Sequence, residues 1–519
     1  MNHCKNQMFT NNFLFYLVVL SCWGCTGNTN FTRGASQTGH LHLRLAGSAA
    51  DEPMAFLQYK GLYNIYHASP GEPATDKGFT IARTTSYDLI NWTKKQTSFL
   101  PGMRSSFLRG GIIIDSTNAT GYGTSESPAI VAVLTRALPR DSPGRGSKNV
   151  TPLLAFSKDG GDSWTVDTND VNLPIPLLEN PQQITIVWFS PASKWIMTVA
   201  LNDHVEFFSS TNLRTWAFES KLGAEFFPED VRWNRTTLFL SPDNKTWVLL
   251  ADIKKTGSTR TSGGTVYFVG DFDGHQFVNR SSQLHWLDYG EDVYGSLMSI
   301  ANDGRRINLG WKNSNEHLTA GSKQRAGMTM LPRELTLENA NGEFFIRVSP
   351  PREFNNLHAK QVNLSAATVS YKAINQELVS GLTTPMEMYL TFKTTDIQKG
   401  SFPTRVGLSL WNNQGEHLAF GFDRFGFYYL DTSGLRASAE NPLLNTLVKM
   451  PYDHTDSIMD LHILLDSSTI ECYAEGGKLV MTSSYSSVEP FNSLKLFALN
   501  GDIEFLGGKV IELDTNKKP

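Results

Sequence analysis

From residue 54 onward the chain is written in strand-forming runs of four to eight residues separated by turn residues, and apolar stripes of helical period are missing. The run FLQYKGLYNIYHA (56–68) alternates apolar and polar positions about Lys60 and Gly61, which predicts a hairpin with one buried face. Three later runs, FTIART, LLAFS and HVEFFS, each lead into a stretch that opens with serine and closes with tryptophan: SYDLINW (86–92), SKDGGDSW (157–164) and STNLRTW (210–216). YFVGDFDGHQF (267–277) is a looser fourth copy. The closing aromatics lie 72, 52 and 61 residues apart, a spacing that suits four-stranded units with variable loops. Recurrence on that scale predicts a β-propeller, in which each blade buries its faces only against its neighbours. With the opening hairpin as blade one, five blades fill 45–348.

A polar segment with two prolines, SPPREFNNLHAK (349–360), then interrupts the strands and reads as a linker. Beyond it, EMYLTFKTT, RVGLSLWN, LAFGFDRFGFYYLDTS, DLHILLDSSTIECYAE and SLKLFALNG fit a β-sandwich over 361–515. The expected fold class is all-β, a five-bladed β-propeller followed by a β-sandwich.

Composition narrows the function. With 46 basic and 50 acidic residues among 519 and a net charge of −4, no basic face for nucleic acid or anionic lipid stands out. The apolar run FLFYLVVL (13–20) follows Lys5 and precedes small residues, so 1–27 reads as a signal peptide; it is too short to span a bilayer. Asn30, Asn91, Asn118, Asn149, Asn234, Asn244, Asn279 and Asn363 each head an Asn-X-Ser/Thr sequon, which points to a glycoprotein of the secretory pathway or a secreted one. Cys4, Cys22 and Cys25 lie in or beside the leader, and Cys472 stands alone in a strand-like run. No disulfide framework and no cysteine metal site is expected, and Cys472 reads as an inert core thiol.

Candidate chemistry begins at Asp51 and Glu52, which stand before Pro53 at the entrance to the first hairpin. Acids held there by a rigid neighbour are placed for catalysis, or they form an ordinary solvated turn. DSTNATGYG (115–123), KWIMTVAL (194–201), YFVGDFDGHQF, LDYGEDVY (287–294), RRINLGW (305–311) and LPRELTL (331–337) together resemble the glycoside hydrolase family 32 of invertases, inulinases and levanases. That resemblance spans roughly 45–510 and implies the same propeller and sandwich.

The catalytic motifs of that family are altered here. Where the family has W-M-N-D-P-N-G, with Asp as nucleophile, this chain has A-A-D-E-P-M-A. Glu52 takes the nucleophile place, and Ala49, Ala50, Asp51 and Met54 replace sugar contacts. Gln182, Gln183 and Ile184 stand where R-D-P is expected, and Arg325, Ala326 and Gly327 where W-R-G is expected. Anchored on Pro228, the E-C-P motif becomes Phe226-Phe227-Pro228, with Glu225 and Glu229 near but out of register. Retaining glycosidases need two carboxyl groups about 5–5.5 Å apart. A displacement of about 1 Å costs on the order of a hundredfold, and loss of the acid roughly 10² to 10⁴.

The altered set resembles fungal hetero-Diels-Alderases of tropolone sesquiterpenoid biosynthesis. That resemblance implies a pericyclase of secondary metabolism, without a cofactor or metal, joining a tropolone quinone methide to a humulene-type terpene. In that reading Gln182, Gln183 and Arg325 donate hydrogen bonds and Glu52 or Asp51 assists dehydration. Met54, Phe226, Phe227, Glu229, Tyr289, Asp292 and Tyr294 would line a pocket for a small apolar, polyketide- or terpene-type substrate. Nucleic acid and membrane are not expected partners. Two alternatives stay open: a residual β-fructofuranosidase or fructan hydrolase with Glu52 as nucleophile and Glu225 or Glu229 as acid, and a non-catalytic carbohydrate-binding protein.

Overall fold

The computed structural model describes residues 41–43, 53–70, 79–93, 96–98, 100, 108–137, 150–174, 183–223, 231–255, 263–281, 283–290, 293–312, 328–329, 331–372, 375–393, 403–440, 447–451 and 458–517. The leader, Cys4, Cys22 and Cys25 lie outside them.

Five antiparallel meanders follow one another, each beginning with the strand nearest a common axis: Pro53–Tyr59, Leu108–Ile114, Ile184–Phe189, Val231–Leu240 and Val293–Ile300. These inner strands neighbour one another in a closed ring, the fifth meeting the first. They also run the same way. Near their ends, Asn302 N–H donates to Gln58 Oε1 (2.7 Å), Arg306 Nε to Leu240 O (2.6 Å) and Tyr59 Oη to Pro128 O (3.1 Å). The Phe189 and Trp247 rings lie 5.8 Å apart at the same level. A five-bladed propeller therefore stands where the alternating runs placed it.

The first hairpin turns on Lys60 (φ 50°) and Gly61 (φ 82°), the two successive positive φ values that a tight right-twisted hairpin requires. The repeated Ser-to-Trp stretch is the arch between third and fourth strands of a blade. Ser210 Oγ accepts from Asn212 N–H and Leu213 N–H, Asn212 Oδ1 from Arg214 N–H and Thr215 N–H, and Trp216 Nε1 donates to Leu213 O. Blade one repeats this with Ser86, Asp88, Leu89 and Trp92. The third residue after the serine takes a left-handed conformation in all three arches: Leu89 (φ 64°), Gly160 (φ 79°) and Leu213 (φ 60°).

Separate cores fill the spaces between blades. Phe56, Ile65 and Leu89 of blade one meet Leu297, Ile307 and Leu309 of blade five, with Leu43 among them. A six-stranded and a seven-stranded sheet form the sandwich and enclose its own core, which contains the buried Cys472. Burial pushes the Cys472 thiol well above its ordinary range, as an inert core thiol requires. On its other side the seven-stranded sheet brings Leu464, Tyr473 and Val480 against Phe239, Leu250, Leu335 and Ile346 of blades four and five.

The expected linker is a packed joint. Arg352–Leu357 forms a 3₁₀ turn whose Phe354 and Leu357 sit in that interface core, Arg305 grips Glu353 (2.6 and 3.0 Å), and from His358 the chain is already a sandwich strand, His358–Leu364. Pro and polar residues there mark a change of direction, and two apolar anchors hold it.

Candidate functional site

Four of the five inner strands begin directly after sequence candidates. Pro53 follows Asp51 and Glu52, Ile184 follows Gln182 and Gln183, Val231 follows the 226–229 stretch, and Val293 follows Asp292. Because the strands run in one direction, their starts share one end of the axis. That end is the candidate active site. Asp51, Glu52, Gln182, Glu225, Phe226, Phe227, Glu229, Asp292 and Arg325 themselves lie outside the described residues, as do Asn30 and Asn149.

The candidates that are described turn inward. Gln183 is buried, and its Oε1 accepts from Gly110 N–H at 3.4 Å, tying the start of the blade-three strand to blade two. Its Nε2 has no partner among the described residues. Met54, read as a wall of an apolar substrate pocket, is 2% exposed and packs in the core between blades one and two. It also borders the cavity on the propeller axis. Tyr289 donates its backbone N–H to Val480 O of the sandwich (2.8 Å), and its ring packs against the sandwich core, which raises its phenol pKa through burial. It serves the joint between domains. Tyr294 is half-buried at the start of the blade-five strand, with its ring beside Gly263. Of the sequons, Asn91, Asn234, Asn244 and Asn363 are exposed, and Asn118 and Asn279 half-buried.

Two features escaped the motif reading. Arg235, 1% exposed in the blade-four inner strand, donates from Nη2 to Pro53 O at 2.8 Å. The blades of these residues are not neighbours in the ring, so the side chain crosses the axis next to the residue bonded to Glu52. The signal was present: alternation through Val231 and Trp233 already assigns Arg235 to the buried side. The second is Asp288, within LDYGEDVY. It belongs to a buried ionic chain at the joint, in which Arg333 Nη1 bonds Asp288 Oδ2 (2.7 Å) and Arg333 Nη2 bonds Glu471 Oε2 (2.6 Å). His42 continues the chain to Glu471 Oε1 (3.0 Å) and Asp466 Oδ2 (2.9 Å). Among the described residues no group of three His, Cys, Asp or Glu side chains could hold a metal ion, and no helix is long and apolar enough to cross a membrane.

The model of the glycosyl hydrolases family 32 N-terminal domain matches residues 42–347, and that of the family 32 C terminal matches 353–512. The chain belongs to glycoside hydrolase family 32. It is 24% identical to a levanase of Bacillus subtilis over 513 residues, covering 96% of this chain and 74% of that relative. It is 26% identical to invertase 1 of Saccharomyces cerevisiae, covering 82% and 84%. Among solved structures, the exo-inulinase of Aspergillus awamori superposes with a TM-score of 0.77 at 18% identity, over 93% of this chain and all of that one. The β-fructofuranosidase of Schwanniomyces occidentalis gives 0.76 at 21%, over 93% and 99%. These two establish the fold.

The hetero-Diels-Alderase expectation is corrected by these matches. Both domains fall to a glycoside hydrolase family whose relatives are levanases, invertases and inulinases, and the judgement against glycosidase activity falls with it.

Proposed function

We propose that this family 32 protein hydrolyses β-fructosidic bonds of fructans or sucrose at the end of the propeller where its inner strands begin. The observation that carries this reading is the match of both family 32 domain models across residues 42–347 and 353–512. Glu52 serves as nucleophile. Glu225 or Glu229 supplies the proton to the leaving oxygen, in the two-carboxylate scheme of retaining glycosidases. The partner is then a fructose-bearing sugar. The leader-like N-terminus fits action outside the cell, as in the exo-inulinase of Aspergillus niger, whose name describes it as extracellular.

Purified protein incubated with levan, inulin and sucrose should release fructose, and Glu52→Gln should lower kcat by on the order of 10³-fold or more, as loss of a nucleophile does. Absence of release from all three substrates would overturn the reading. The replacements at 182–184 and 226–227 favour a second one, a fructan-binding protein without turnover. Retention on immobilised levan with no fructose released would establish it.

A further inference from the structure

We propose that the propeller axis holds a binding site for a small apolar molecule with the bulk of one aromatic ring. A cavity of about 160 Å³ lies on the axis, and every one of the five inner strands contributes to its wall. Phe56, Ile112, Ile186, Phe239 and Met298 dominate the lining. Among the described residues its only polar side chains are Thr185 and Thr237, and the Thr185 hydroxyl is turned into the wall, donating to Thr236 O at 2.7 Å.

Size and chemistry select the occupant. Cavities of roughly 150 Å³ lined by aliphatic and aromatic side chains take benzene or xenon. A fructosyl ring, with a hydroxyl on nearly every carbon, would lose its hydration against such a wall without replacement. The cavity is therefore chemically unlike a sugar site. The Arg235–Pro53 hydrogen bond crosses the axis next to Met54 and Ala55, which belong to the cavity wall. At the far end Ile300, 52% exposed, forms a rim that opens to solvent. The proposal does not depend on the hydrolase reading.

The test uses the full-length protein. Crystals pressurised with xenon should show xenon on the axis between Phe56 and Phe239, and benzene in solution should raise Tm in a saturable way, as any ligand selective for the folded state does. Met298→Trp, which fills the cavity, and Ile300→Trp, which blocks the rim, should each weaken benzene binding roughly tenfold or more. The second variant carries the comparison if the first fails to fold. Fructose added to saturation should leave the benzene midpoint unchanged. The proposal is overturned by a channel filled with ordered water and free of xenon, by a Tm shift that never saturates, or by competition between fructose and benzene.

Discussion

Leu213 shows how single residues carry the repeat. It is fully buried yet holds a left-handed backbone, which costs roughly 1–2 kcal/mol for a non-glycine residue. A glycine would relieve that cost, as Gly160 does in the neighbouring blade, but it would remove a buried leucine worth about 2–5 kcal/mol. At mid-range burial wins, so Leu213→Gly should destabilise by about 2 kcal/mol, read as a lower urea midpoint at unchanged slope; a midpoint at or above wild type would contradict this balance. Arg235 is the opposite case, a charge buried inside an apolar ring. Arg235→Leu removes a charged donor from Pro53 O and should cost about 1.5–3 kcal/mol in the same measurement.

Element by element, among the described residues the ring closes without a shared strand. Each blade is built from consecutive segments, and blade five ends with Glu343–Ser349 before the joint, so blades five and one meet through side chains. Leu297, 3% exposed, packs there with Phe56 and Leu43. Leu297→Ala should lower stability by about 2–5 kcal/mol. Amide exchange should accelerate first in the inner strands of blades one and five, and uniform acceleration in all five blades would mean that the closure has no local weakness. This interface explains why the repeat was readable and its closure was not. The Ser-to-Trp arch is local, its hydrogen bonds spanning only a few residues, whereas Phe56 and Leu297 are far apart in the chain and nothing in their separate segments says that they meet.

At the scale of the whole molecule, the propeller and sandwich are joined by a buried chain of charges. Burial alone would push the His42 pKa down, but hydrogen bonds and charge from Asp466 and Glu471 outweigh it and hold the imidazole up at about 9. Burial would push Glu471 up, and Arg333 and His42 bring it down to about 2. The signs follow from linkage. The raised His42 contributes stability that is complete below about pH 6.5 and is lost as pH rises through about 9, a contribution on the order of 3 kcal/mol. The depressed Glu471 contributes above about pH 4.5 and is lost as pH falls toward about 2. Thermal unfolding should therefore show Tm falling between pH 6.5 and 9 in the wild type. His42→Gln should start lower at pH 6 and show a shallower fall, and an unchanged slope would remove His42 from the balance.

The amino-acid sequence by itself determined the all-β class, the repeated Ser-to-Trp unit, the sandwich behind it and the family motifs, because alternation and turn chemistry act over a few residues. It also marked the starts of four inner strands as the places where candidate side chains gather. Only the tertiary structure decided that Gln183 is tied to blade two, that Tyr289 serves the joint, and that Arg235 crosses the axis to Pro53. Those assignments depend on which distant segments share a space. A motif position shows what a residue replaces in sequence, whereas its neighbours across the ring decide whether its side chain is free to meet a substrate.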